Sequence, residues 1–146
     1  MPVTNETRWG FTVYQKAAAQ RLRDAQALLN QGCYWGACYI GGYAVECVFK
    51  YAILKLKNKH HLDELHQGTD ANPYKTHNLL TLIDLESQLP RNCPELSNPR
   101  APDYPKLILH EWTVDWRYKA PDQLDRAYEE KLIDQAKQIH QSLISL

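Results

Sequence analysis

Apolar residues recur along this chain at steps of three and four for most of its length. From about Trp9 to Asn30, Phe11, Tyr14, Ala18, Leu22, Ala25 and Leu29 share one side, with Gln20, Arg23, Asp24 and Gln26 largely opposite. This is an amphipathic helix, and Asn30-Gln31-Gly32 is its stop, with the glycine suited to a left-handed cap. A second helix is expected from about Tyr34 to Asn58. Its run Cys33–Lys50 is apolar and aromatic except for one acid, Glu46, and one base, Lys50. Residues 59–75 are polar and carry Gly68, Asn72 and Pro73, which predicts a loop or a short helical excursion. Thr76 is the expected cap of a third helix whose stripe runs from His77 to Leu89. Pro90, Pro94, Pro99, Pro102 and Pro105 then interrupt the chain, and a shorter fourth helix is expected over Tyr104–Val114. After Asp115–Asp122 a final helix reaches the C-terminus, with Leu132, Ala136, Ile139 and Leu143 as its inner seam. Strand-period alternation, hairpin signals and internal repeats are absent from the sequence. The expected fold is all-α, an antiparallel bundle of four to five helices forming a single domain over residues 1–146.

Composition narrows the functional classes. Lysine plus arginine and aspartate plus glutamate both number 17, so nucleic-acid binding has to come from a local patch and not from a global field. No apolar run in the sequence approaches the roughly 18–20 residues needed to cross a bilayer, and the N-terminus lacks the regions of a signal peptide. A cytoplasmic, soluble protein without membrane contact is the expectation. Cys33, Cys38 and Cys47 lie in or beside one helix and Cys93 in a distant loop, a pattern of free thiols and not of a disulfide set.

Two groups of residues carry candidate chemistry. Tyr39, Tyr43, Glu46 and Lys50 follow one another at steps of four, three and four, hence on one helix face. Either Glu46 and Lys50 form an ordinary ion pair worth about 0.3–0.5 kcal/mol, or the face lines a polar cleft with tyrosines as stacking surfaces. The second group is Trp112, Trp116, Arg117 and Tyr118, where a planar guanidinium suits phosphate and the rings suit a base. The alternative is that the tryptophans anchor the last helix while Arg117 pairs with Glu46 or Asp115. His60, His61, His66 and His77 are close in sequence but lack paired ligand spacing, so no metal and no cofactor are expected.

The residues Ala25-x-x-Leu28-Leu29-x-x-Gly32-x-Tyr34-x-x-Ala37-x-Tyr39, then Tyr43-Ala44-Val45-Glu46-x-x-x-Lys50, resemble a HEPN domain (higher eukaryotes and prokaryotes nucleotide-binding). His77-x-Leu79-x-x-Leu82 is similar to the start of that family's third helix, and Arg117-Tyr118 with Pro121-Asp122 to its late motif. The resemblance covers about residues 15–140. It implies an all-α bundle, usually a homodimer, often encoded beside a nucleotidyltransferase or serving in toxin–antitoxin or defence systems. It also implies, for some members, metal-independent RNA cleavage by an arginine and a histidine four to six residues apart. Arg117 has no histidine at that spacing, nor do Arg91 and Arg100.

The expected function is therefore a non-catalytic module that binds a nucleotide, RNA or a partner such as a nucleotidyltransferase. Tyr39, Tyr43, Glu46, Lys50, His77, Trp116, Arg117 and Tyr118 are its candidate ligand-binding residues. The alternative is a ribonuclease with a rearranged site, in which His77 or His110 takes a ribose hydroxyl proton and Arg117 stabilises the phosphate. Apolar and small residues on more than one side of the second helix, such as Trp35, Ile40 and Tyr43, further predict a homodimer.

Overall fold

A computed structural model describes residues 10–119 and 125–146. The expected helix start at Trp9 and the Pro121-Asp122 pair lie outside the described residues. The molecule is an all-α helical bundle. Three long helices carry it: α1 (Phe11–Asn30), α2 (Tyr34–Leu56) and α5 (Arg126–Leu143). Two short ones, α3 (Leu79–Leu85) and α4 (Leu89–Asn92), lie on the connection between α2 and α5.

Helix α1 buries Tyr14, Ala18, Ala25 and Leu29, the stripe read from the sequence. Its outer face is tied by local pairs such as Gln20 with Asp24 and Gln26 with Asn30, each worth a few tenths of a kcal/mol, on the order of 0.2–0.5. The turn to α2 closes through two backbone bonds, Cys33 N–H to the Leu28 carbonyl at 2.9 Å and Gly32 N–H to the Leu29 carbonyl at 3.0 Å. That pairing needs a left-handed residue, and Gly32 has φ +76° with open space around it. The end of α2 repeats the device with Asn58 at φ 54° and Lys59 N–H bonded to the Leu54 carbonyl at 2.8 Å.

Helix α2 is apolar nearly all round because it is the centre of the bundle, packed by α1 on one side and α5 on another. It runs antiparallel to α1: Gly10 and Phe11 meet His60 and His61 at the far end, through an isolated bridge and a 3.1 Å bond from Phe11 N–H to the His60 carbonyl. Helix α5 runs the same way as α2. Gly41 abuts Leu132 and Ile133, and ten residues further on the Tyr51 hydroxyl donates to the Leu146 carbonyl at 3.2 Å. The long connection makes this possible by carrying the chain back to the start of α2 before α5 begins. By length and apolar content α2 would also cross a bilayer, contrary to the sequence expectation, but 78% of that window is buried inside the fold.

The connection is less helical than its periodicity suggests. Thr76 does not cap the third helix; its hydroxyl accepts from Asn78 N–H at 3.1 Å, and Asn78 is the cap, accepting from Thr81 N–H at 3.0 Å. The helix stops at Leu85, where the Glu86 carboxylate turns back to accept from Gln88 N–H at 3.1 Å and holds Lys57 at 3.2 Å. The expected fourth helix reduces to one wide turn, Leu107–Glu111, closed by Trp112 N–H to the Leu107 carbonyl at 3.2 Å, and a 3-10 turn, Val114–Arg117. Gln135 of α5 interrupts the pattern by accepting from Ile108 N–H at 3.1 Å.

Candidate functional site

The centre of the site is a buried charge on α2. Glu46 is 5% exposed and Lys50 2%, and their ion pair closes at 3.0 Å. The other carboxylate oxygen takes Nδ1 of His77 at 2.8 Å, across 31 positions of sequence. An ionised carboxylate only accepts, so Nδ1 carries a proton and donates; in the neutral form of the ring Nε2 is then an acceptor. His77 stands in the loop before α3 with its side chain 54% exposed, so the outward face of the ring meets solvent. Lys50 also lies 5.9 Å from the centre of the Tyr14 ring.

Aromatic rings extend from this point. Tyr43 meets His77 edge to face at 5.9 Å, Trp112 at 5.5 Å and Tyr39 at 5.1 Å, and the two tyrosine hydroxyls are 3.2 Å apart. Burial, and then the Tyr39 hydroxyl, pushes the Tyr43 phenol above its ordinary acidity range, while the charge of Arg117 works against the shift. Trp112 lies flat on Gly42, where a β-carbon would fall 1.9 Å from the indole. Its Nε1–H donates to the Tyr39 carbonyl at 3.1 Å. Only glycine at position 42 permits this approach, so the paired glycines of α2 are the sequence signal for where Trp112 docks.

Two hollows open on this face. One, of about 550 Å³, lies between residues 76–80 and 109–114, with Leu79, Leu109 and Trp112 among its apolar walls and His77, His110 and Thr113 among its polar ones. His110 Nε2 is within 2.9 Å of the Tyr104 hydroxyl. The second, of about 200 Å³, is lined by Trp35, Gly36, Tyr39, Trp116 and Arg117. Two of its walls are tied together, the Trp35 indole N–H donating to the Trp116 carbonyl. Tyr118, 75% exposed, has its ring centre 4.7 Å from the Arg117 guanidinium.

The structure thus gathers Tyr39, Tyr43, Glu46, Lys50 and His77 into one network and sets Trp116 and Arg117 beside it at Tyr39. It corrects two expectations. Arg117 does not pair with Glu46, whose oxygens are taken by Lys50 and His77, and it is exposed and not shielded. Lys50, expected among the ligand contacts, is buried at 2% exposure, with its ammonium held by Glu46. Among the described residues no three histidine, cysteine or acidic side chains converge to hold a metal ion. No family model, no curated protein and no solved structure matches the chain.

Proposed function

We propose that the chain is a HEPN-like module that binds a nucleotide or short single-stranded RNA along the face from Trp35 and Arg117 through Tyr39 and Tyr43 to His77. The observation that carries this reading is an exposed guanidinium beside an aromatic cleft of about 200 Å³, room for one planar ring system. A base stacked on Trp35 or Tyr39 places its phosphate within the reach of Arg117, and the larger hollow beyond Tyr43 accepts a neighbouring unit. Stacking supplies about 1–3 kcal/mol per base, so one or two contacts give a complex in roughly the millimolar to high-micromolar range. With a net charge of zero there is no long-range steering, and salt weakens the complex further.

The same reading includes a homodimer, with Ile40 of α2 contributing apolar surface, and a nucleotidyltransferase-type partner in a toxin–antitoxin or defence setting. Light scattering that returns one chain mass at micromolar concentration would sink the dimer. The binding itself is tested by titrating a mononucleotide and a short oligouridylate while following tryptophan fluorescence. Trp35→Ala and Arg117→Ala should each weaken the response several-fold.

The Glu46–His77 bond favours a second reading, cleavage of RNA without metal. There His77 Nε2 takes the proton of the ribose 2′-hydroxyl as its oxygen attacks the adjacent phosphorus. Arg117 stabilises the charge on the pentavalent phosphate, and the 5′-oxygen leaves with a proton from solvent. Glu46 fixes the histidine in the required tautomer. Cleavage of labelled single-stranded RNA in chelator, abolished by both His77→Ala and Arg117→Ala, selects this reading over binding alone.

A further inference from the structure

Glu129 stands in the first turn of α5 with 0% exposure; no nitrogen or oxygen donor reaches either carboxyl oxygen, and the side chain that bonds to it is the Cys38 thiol. The Tyr128 amide of that turn is already used, because Asp125 caps it by accepting from Tyr128 N–H at 2.8 Å. The groups acting on Glu129 are the buried Cys38 thiol from α2 and Asp125 from its own helix. Tyr128 lies beside it in α5, and Glu111 of the wide turn acts on Tyr128 in the same sense as Glu129 does. None of these is a cation, and an unpaired carboxylate in such a place is costly.

The seam it occupies is tight. A β-carbon on Gly41 would lie 2.9 Å from Ile133 of α5, and one on Gly42 would collide with Trp112 on the other side. The α2 segment from Cys38 to Gly42 is therefore held between α5 and Trp112, and it carries Tyr39, whose carbonyl takes the Trp112 indole N–H. We propose that Glu129 is a proton-operated latch: protonated, it lets the first turn of α5 seat in the apolar seam against α2, and ionised, its buried charge loosens that turn and the α2 segment that carries Tyr39, a cost the Cys38 thiol offsets only in part. This device goes beyond the binding reading and does not depend on it.

Burial raises the Glu129 carboxyl from 4.5 to about 7, with Cys38 offsetting only part and the like charge of Asp125 adding to it. The folded state thus holds the proton more tightly than the unfolded one. The Glu129 contribution to stability is therefore fully present below about 4.5, is lost as pH rises through about 7, and changes no further above.

The test compares the parent with Glu129→Gln, a neutral isostere, in denaturant unfolding from pH 4 to pH 8.5. The ratio of their folding constants should change by about tenfold per pH unit between these limits, more than about 100-fold in all. Protection of the amides at α5's first turn and at Cys38–Gly42, taken relative to the base-catalysed rate of the free chain at each pH, should fall above neutral pH in the parent and not in the variant. Carboxyl-carbon NMR of the unmodified protein reads the same proton without substitution, and it decides the matter if Glu129→Gln does not fold. A Glu129 midpoint near 7 supports the latch; a midpoint in the usual carboxylate range, a stability ratio that does not change with pH, or unchanged protection overturns it.

Discussion

Removing the Glu46 carboxylate tests the buried network most severely. In Glu46→Ala the Lys50 ammonium, 2% exposed, loses its counter-charge while the apolar helix around it stays in place. The remaining ring of Tyr14, 5.9 Å away, is a weak substitute. Breaking one side of a buried pair costs about 3–5 kcal/mol, whereas His77, which is half exposed, turns to water at little cost. At about 2–4 °C per kcal/mol for a chain of this size, the melting temperature should fall by roughly 6–20 °C. Glu46→Leu combined with Lys50→Leu removes both charges and should recover most of the loss, because an apolar pair of similar volume avoids burying an unpaired charge. Arg117→Ala should change stability by no more than about 0.5 kcal/mol, since its guanidinium is exposed and Glu46 does not hold it. Calorimetry on the four proteins checks the set. A Glu46→Ala melting point within about 2 °C of the parent, or an Arg117→Ala loss as large as that of Glu46→Ala, would refute the reasoning.

Other expectations follow from single contacts. Gly42→Ala places a methyl group inside the Trp112 indole, so the ring must leave its seat; a loss of about 1–3 kcal/mol and a red-shifted tryptophan emission are expected. Asp125→Ala removes the cap of α5 and should cost about 1 kcal/mol in chemical unfolding, with faster amide exchange confined to the first turn. Gly32→Ala meets no steric obstacle but forces a side chain into a left-handed φ, costing about 1–2 kcal/mol without disturbing any neighbour, as an unchanged amide spectrum away from residues 28–34 would show.

The long helices were readable because their signals are local. The stripe of α1 and the seam Leu132, Ala136, Ile139 and Leu143 appear as periodicity in sequence and as burial in space, and the glycine stop at Gly32 appears as a left-handed φ. The connection was misread where short side chains outvote periodicity: Asn78, two residues after Thr76, takes over as cap, and Gln135 of a distant helix claims the Ile108 amide. Spacing put Glu46 four residues before Lys50 but could not show His77, which arrives from 31 positions away. Nor could it distinguish Arg117 from Lys50 as the exposed cation; burial depends on which face of α2 the connection covers. Glu129 was legible in principle, since it lies three residues before Leu132 and seven before Ala136 on the seam that proved buried.

The central claim, that the face between Arg117 and His77 takes a nucleotide, is tested most directly by following the indole N–H signals of a nitrogen-labelled sample during titration with a mononucleotide. The signal of Trp35, which lines the cleft, should move in a saturable way at millimolar ligand, together with ring signals of Tyr39. Arg117→Ala should lose most of that shift with an unchanged melting temperature. A Trp35 signal that stays still at saturating millimolar nucleotide, or that moves equally in Arg117→Ala, would contradict the account.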